Sequence, residues 1–559
     1  MGDVQHSFQY FASLRNRSII PLLTSSGTLP SEPNLPDPNN VQGDIIYQFP
    51  KLAEAFIFFR ISDVAQFKIA LASFHPTPGS QVFNNLSAIR SAKLASGVQR
   101  TQIIKIVQTQ IAFTRAGLNL LGQREPIGDD RFDTFCMRDN KTYLGDGMPW
   151  DSVFDKPNSD PVHGTANEDA GAIHCVVSIA ANDVQECQTE IEAFKIKFKG
   201  AINANEITVI QGKARPNDQK GHEHFGYMDG ISQPAMRGII VPNPGQIQVD
   251  PGVIITGYEG DPMLKKRPDW AKDGTFMVFR KLQQLVPEFH KYLNDNGPRW
   301  KEFVPKVDTT KQLTDKEGAE LWGARIVGRW PSGAPIAKAP VFDDPAMAKD
   351  PKRNNDFNYT IPGIDFPTDK HCPFTAHTRK TAPRDLDPFL AKKFLEGGSI
   401  IRAGIPFGDE VSPDEEKKQT TDPDPNHWRG LLFVAYQSDL NSGFVRQTVQ
   451  YANNDYFPSV SFIPDVHGQD PILGGPPHPL SDPVKINEKH PVESGDQVDL
   501  QFLNENGDTL EVKGFATVAR RGAQPPPGIP QQFFVNSRGG EYFFVPSIKT
   551  LKALATGVI

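Results

Sequence analysis

The chain has 559 residues, more than one hydrophobic core usually supports, so two or more domains are expected. Its 59 lysines and arginines against 66 aspartates and glutamates give a net charge of −7, with acids and bases mixed along the sequence. That balance, with 38% hydrophobic and 22% charged residues, excludes wholesale disorder, a basic nucleic-acid footprint and a polybasic membrane-surface helix.

Residues 1–40 end in the proline- and asparagine-rich run SEPNLPDPNN and read as a mobile leader. The apolar patch Ile19-Ile20-Pro21-Leu22-Leu23 is shorter than the roughly 7–15 residues of a signal-peptide core and contains a proline. An intracellular protein is the default expectation, with secretion as the alternative if the true N-terminus lies upstream. No apolar run approaches the ~18–20 residues of a membrane helix. The cysteines Cys136, Cys175, Cys187 and Cys372 are too few for a disulfide framework and too widely spaced for a zinc site.

A strand pattern at Glu54–Ser62 is followed by a helical stretch, Val64–Phe74, and a strand, Ile103–Thr114. The apolar strand Ile173–Ala181 leads to an amphipathic helix that Asp183 opens and that runs through Phe198, and Glu206–Gly212 closes the set. This order is the split βαβ pattern of a ferredoxin-like sandwich, with residues 115–170 as an insertion between its halves. The second half repeats the theme. It has a strand at Thr275–Leu282, a helix at Pro287–Asn294, a long irregular stretch, strands at Ser399–Ile405 and Gly430–Gln437, a helix near Ser438–Tyr451 and a last strand at Glu541–Val545. A hairpin at Gln497–Arg521, turning at Glu505-Asn506-Gly507, decorates this half. The expected fold is α+β: two ferredoxin-like domains with antiparallel sheets, at residues 41–235 and 236–559.

Several segments could carry chemistry. His222-Glu223-His224 looks like half of a mononuclear metal site, but no third histidine stands at ligand spacing, so an exposed loop is the plainer reading. In Gly226-Tyr227-Met228-Asp229-Gly230-Ile231-Ser232-Gln233-Pro234, glycines on both sides of Asp229 let the backbone approach something flat, or simply make a turn. In Cys372–Lys380, His377 beside Arg379 and Lys380 reads as surface charge, a core imidazole or a metal ligand. Arg402 lies in the apolar run Ile400–Gly408 and needs a partner, since its charge cannot be titrated away. Leu431-Leu432-Phe433-Val434-Ala435-Tyr436 has the composition of core.

Taken in order, these segments resemble the dye-decolourising peroxidase family, its fungal branch most closely. The resemblance starts at Val41–Ile45, passes through Gly226–Pro234, Val327–Trp330, Cys372–Lys380, Ile400–Gly408 and Gly430–Gln437, and ends at Gly540–Phe544. It implies a peroxidase with one haem b per chain held between two ferredoxin-like domains, hydrogen peroxide as oxidant, and dyes or phenols as one-electron donors. By the same resemblance His377 is the axial iron ligand, Asp229 the distal acid–base residue and Arg402 the distal arginine. Leu431 and Phe433 line the distal face, Gly230 and Arg379 contact the haem (Arg379 at a propionate), and Asp470 receives the imidazole proton. The chain departs from the family with Phe407 in place of a tyrosine, Ala403 in place of a second arginine and Tyr451 in place of a tryptophan. Tyr451, at a helix end, is the expected surface radical site. The competing readings are a haem-handling protein without fast peroxide turnover and a non-haem metal protein built on His222 and His224.

Overall fold

The computed structural model describes residues 34–95, 104–156, 172–304, 312–361, 367–384, 386, 389–454, 456–459, 467–474, 500–503, 509–512 and 534–558. The greater part of the expected leader, residues 1–33, lies outside these, as does the turn of the expected hairpin at 504–508.

The first half builds β1 (Ala53–Phe59), α1 (Val64–Ala72), α2 (Gly79–Ala95), β2 (Gln108–Phe113), β3 (Cys175–Ala181), α3 (Val184–Lys197) and β4 (Thr208–Lys213). Strands β1 and β3 are buried at every residue, which fits their largely apolar sequences. Helices α1 and α3 are both capped by an aspartate, the second at the Asp183 expected to open it. Asp63 accepts from the Gln66 N–H, and Asp183 from the Glu186 N–H.

The second half builds β5 (Thr275–Gln284), α4 (Val286–Asn296), α5 (Asp315–Val327), β6 (Ile401–Arg402), β7 (Ile405–Phe407) and β8 (Gly430–Gln437). A π-helix at Asn441–Ala452 follows, then the small hairpin β9 (Leu500–Leu503) with β10 (Thr509–Val512), the long strand β11 (Val535–Val545) and α6 (Ile548–Thr556). Among the described residues, nine strands form one sheet in the order β4-β1-β3-β2-β11-β5-β8-β6, with β7 also paired to β8, and the short segments Ala235–Met236 and Gln248–Val249 pair separately in parallel. Each half therefore repeats the 4-1-3-2 order of a ferredoxin-like unit, and the two join where Phe113 of β2 pairs with Phe544 of β11. The outer edges also meet. Gly212 of β4 lies so close to Ile405 and Pro406 that a side chain there would collide, and Lys213–Asp409 (2.7 Å) and Arg215–Glu410 (2.5 Å) pair across the seam.

Four findings differ from the sequence expectation. The strand expected at Ser399–Ile405 is two short strands broken at Ala403 and Gly404. The stretch read as irregular contains α5, with a Thr314/Glu317 capping box and Gly328 in the left-handed conformation at its end. The helices α2 and α6 were not expected, and the helix near residue 441 has π geometry, a form concentrated at functional sites. Among the described residues, no helix is long and apolar enough to cross a membrane.

The main core spans both halves. Phe279 of β5 is fully buried, with ring centroids 4.9 Å from Phe56 and 4.8 Å from Phe58 of β1, and 5.7 Å from Phe154. Phe279→Ala should therefore cost about 3–5 kcal/mol, as expected for emptying a filled aromatic site. Urea unfolding checks this, and a loss below about 1 kcal/mol would mean that the halves do not depend on this shared contact.

Candidate active site

His377 opens a one-turn helix, His377–Thr381, directly after a proline-containing loop. Its Nδ1–H donates to Asp470 Oδ2 at 2.8 Å. Asp470 is buried, and its other oxygen accepts the backbone N–H groups of Ile472 (2.8 Å) and Leu473 (3.1 Å), so the carboxylate cannot swing away. This bond sets the imidazole tautomer and leaves Nε2 with its lone pair free for a metal. Burial lowers the pKa of His377, but the Asp470 charge and hydrogen bond outweigh it and raise the imidazole above its ordinary value.

Asp229 sits in a turn whose glycines Gly226 (φ 101°) and Gly230 (φ 74°) both take left-handed conformations. Its Oδ1 accepts the Gly230 N–H at 2.6 Å and Arg402 Nη1 at 2.8 Å, while Arg402 Nη2 donates to the Ser232 carbonyl at 3.2 Å. Burial pushes the Asp229 carboxyl up, but the Arg402 charge, the Gly230 N–H and the Arg402 hydrogen bond together pull it below the ordinary carboxylate range. Glu223, in the same loop, has no such cation. Its donors are the Gln284 amide and the N–H groups of Phe225 and Tyr227, and burial pushes its carboxyl up.

His377, Asp229, Arg402, Gly230, Leu431 and Phe433 all line one cavity of about 470 Å³. Its apolar wall includes Ile231, Leu282, Phe444 and Ile472, and Asp470 stands behind His377. The π-helix turns Phe444, Gln447, Thr448 and Tyr451 into the same space. Asp229 and Arg402, 36% and 33% exposed, are reachable by a small molecule inside it.

Two residues lie elsewhere than expected. Arg379 does not line the cavity. It is buried behind the wall, donating to the carbonyls of Thr368 and Cys372 and stacked on Phe374 at 4.1 Å. Tyr451 is not at the surface but 3% exposed, because the last turns of the π-helix face inward and its ring stacks on Phe457 at 3.9 Å. Phe407 is buried under Lys281 and does not line the cavity. His222 and His224 do not line it either; His224 Nε2 is bound to the Phe407 carbonyl at 2.9 Å, which ties it to packing.

Sequence reasoning assigned no role to Arg329 and Arg384. Both line the cavity, and both donate to Asn355 Oδ1, at 2.8 and 3.2 Å. Neither has a carboxylate ion-pair partner among the described residues, and Arg384 Nε is buried without a hydrogen bond. Burial, and next the charge of Arg384, pull the pKa of Arg329 down to about 9. A guanidinium keeps its proton in proteins, so two of them on one wall call for anionic groups there. The residues present thus fit haem b: a free imidazole nitrogen for iron, apolar walls for the macrocycle and two unmatched cations for the propionates.

Residues 40–216 match the family model described as the DyP dimeric alpha+beta barrel domain. A dye-decolorizing peroxidase of Mycena epipterygia is 38% identical, with 93% of this chain and 87% of that protein covered. One of Exidia glandulosa is 36% identical, over 97% and 93%. The solved structure of an ancestral D-type dye decolorizing peroxidase superposes with a TM-score of 0.74 at 38% identity, covering 93% of this chain and 99% of that one. A dye-decolorizing peroxidase in complex with 2,6-dimethoxyphenol superposes at 0.71 with 33% identity, covering 93% and 100%. The continuous similarity in sequence and structure makes this chain a member of the dye-decolorizing peroxidase family.

Proposed function

We propose that this haem b peroxidase reduces hydrogen peroxide with Asp229 and Arg402, binds iron through His377, and oxidises phenols or dyes one electron at a time. The observation that carries this reading is the pairing of Asp229 with Arg402 on the wall of the cavity that also holds His377, with charge coupling among all three. Haem b, when bound, supplies the iron that breaks the O–O bond and the oxidising equivalents passed to the donor.

The chain's own residues handle protons and charge. Oδ1 of Asp229 is held by Arg402 and Gly230, which leaves Oδ2 to take the first proton of peroxide and return it to the outer oxygen, so that water leaves. Arg402 keeps the carboxylate ionised in acid and stabilises negative charge on the peroxide oxygens. Asp470 holds the proton of His377 Nδ1 and makes Nε2 a stronger donor. Arg329 and Arg384 would hold the propionates. Loaded with haem and mixed with peroxide, the protein should change its absorption spectrum within one equivalent and oxidise 2,6-dimethoxyphenol. A spectrum that ignores peroxide would remove the reading.

His377→Ala should abolish most haem binding, read as lost Soret absorbance and iron content, whereas His222→Ala should keep both. Normal iron content in the His377 variant would assign the ligand elsewhere.

Asp229→Asn should keep haem and slow the reaction with peroxide by ~10²–10⁴-fold, the range for removing a positioned acid–base group. The depressed Asp229 pKa also sets a sign. The ionised base is present above that pKa and is lost as pH falls through it, so the acid limb of the peroxide rate lies below the ordinary carboxylate range. Arg402→Leu removes the largest stabilising charge and should move that limb to higher pH. A limb that stays in place, or moves to lower pH, would separate it from Asp229.

A further inference from the structure

Strand β6 lies at the end of the sheet and pairs with β8 through only two residues, Arg402 with Ala435 and Ile401 with Tyr436. The Ala403 N–H turns towards β8 and donates to the Val434 carbonyl at 2.8 Å. Alternation along a strand then points the N–H and C=O of Arg402 the other way, where no strand follows. Buried backbone groups need partners, and here one side chain supplies both. The Gln233 amide donates from Nε2 to the Arg402 carbonyl at 2.6 Å, and its Oε1 accepts the Arg402 N–H at 3.1 Å. Gln233 thus extends the ladder by one residue.

Gln233 is itself 6% exposed and braced from behind. Gln246 Nε2 donates to its backbone carbonyl at 2.9 Å, and Gln246 Oε1 accepts the Asn243 N–H at 2.9 Å. The same loop holds Arg402 at its other end, through Asp229 Oδ1 and the Ser232 carbonyl. Residues 229–233 therefore grip both the guanidinium and the backbone of Arg402.

We propose that Gln233 is a positioning residue for the peroxide step: its amide locks the Arg402 backbone to the loop that carries Asp229, so that the acid–base carboxylate and its cation keep one geometry. This rests on the role given above to Arg402. Gln233 also borders the cavity, but both ends of its amide are spent on the Arg402 backbone and neither on the guanidinium, so its effect on the peroxide step runs through Arg402, which separates it from a residue that merely fills space.

A double-mutant cycle on the haem-loaded protein tests it, with Gln233→Met, Arg402→Leu and the double variant. Two quantities are read: kcat/KM for hydrogen peroxide, and the dissociation constant of cyanide, an anion that binds ferric haem and feels the distal cation. Gln233→Met should keep haem stoichiometry, lower peroxide kcat/KM about tenfold and weaken cyanide binding, because a small misplacement of a charge-stabilising group is costly. In the Arg402→Leu background the same change should have no further effect on either quantity. An effect of equal size in both backgrounds, or none in the wild-type background, would overturn the proposal. If Gln233→Met loses haem, Gln233→Glu replaces it in the cycle. It keeps the acceptor for the Arg402 N–H but loses the donor to the carbonyl, and its losses should likewise vanish beside Arg402→Leu; losses that persist there overturn the proposal. Arg402→Leu alone leaving both quantities unchanged would sink the distal reading itself, and this inference with it.

Discussion

Arg402 carries a charge it cannot shed, on a wall that is otherwise largely apolar, and much of the site is arranged around that constraint. A guanidinium in such a place needs an anion, acceptors for its remaining N–H groups and a backbone that does not drift. Asp229 supplies the first and the Ser232 carbonyl a further acceptor, while the Gln233 amide holds the backbone. All three come from one loop of five residues, so the acid–base group and the cation cannot be placed independently. The loop in turn depends on Gly226 and Gly230, whose left-handed conformations few other residues adopt without strain.

The same neighbourhood explains how two carboxyl groups of one loop come to differ. Glu223 and Asp229 are both largely withdrawn from solvent, and desolvation alone would raise the carboxyl of each. Glu223 meets only amide donors, and its carboxyl moves up; Asp229 meets a guanidinium, and its carboxyl moves down. The first group ties the loop together through the N–H groups of Phe225 and Tyr227, and the second is left to exchange protons. On the opposite side a third carboxylate, Asp470, spends one oxygen on backbone N–H groups and the other on His377, so its charge is committed to the imidazole. Position relative to cations, rather than residue type, divides the work.

How far the sequence anticipates this depends on the range of the forces involved. Strands β1 and β3 are readable because burial of every residue keeps them largely apolar, β8 because its cavity-facing residues are apolar as well, and α3 because Asp183 caps it. Helix α5 carries a capping box, yet it falls in the stretch expected to be irregular, where Gly318 and Gly323 weaken its helical pattern. They are there for packing: a side chain at Gly318 would strike the Gly297 carbonyl, and one at Gly323 the Tyr227 hydroxyl. The triad His377, Asp229 and Arg402 was legible through order and resemblance, but its clamp was not. Gln233 meets Arg402 across 169 residues, a pairing that no local pattern encodes. The choice between Arg379 and Arg384 is similarly hidden. The two stand five residues apart in one basic run, and the left-handed turn at Arg384 (φ 63°) belongs to the residue that reaches the cavity.

The π-helix Asn441–Ala452 adds a last step. A π-helix packs more residues into each turn than an α-helix and is wider, so the face it offers carries side chains at unusual spacing. Here that face brings Phe444, Gln447, Thr448 and Tyr451 to the cavity and leaves Arg446 outside, stacked at 4.3 Å on the exposed Phe394. A donor too large to enter therefore cannot touch Tyr451, whose phenol burial pushes up to about 12. Loss of its proton on oxidation would place charge in a poorly solvated spot, which the Arg446 charge offsets only in part. The π-helix thus sets its one tyrosine inside the wall, out of contact with any donor that stays outside the cavity.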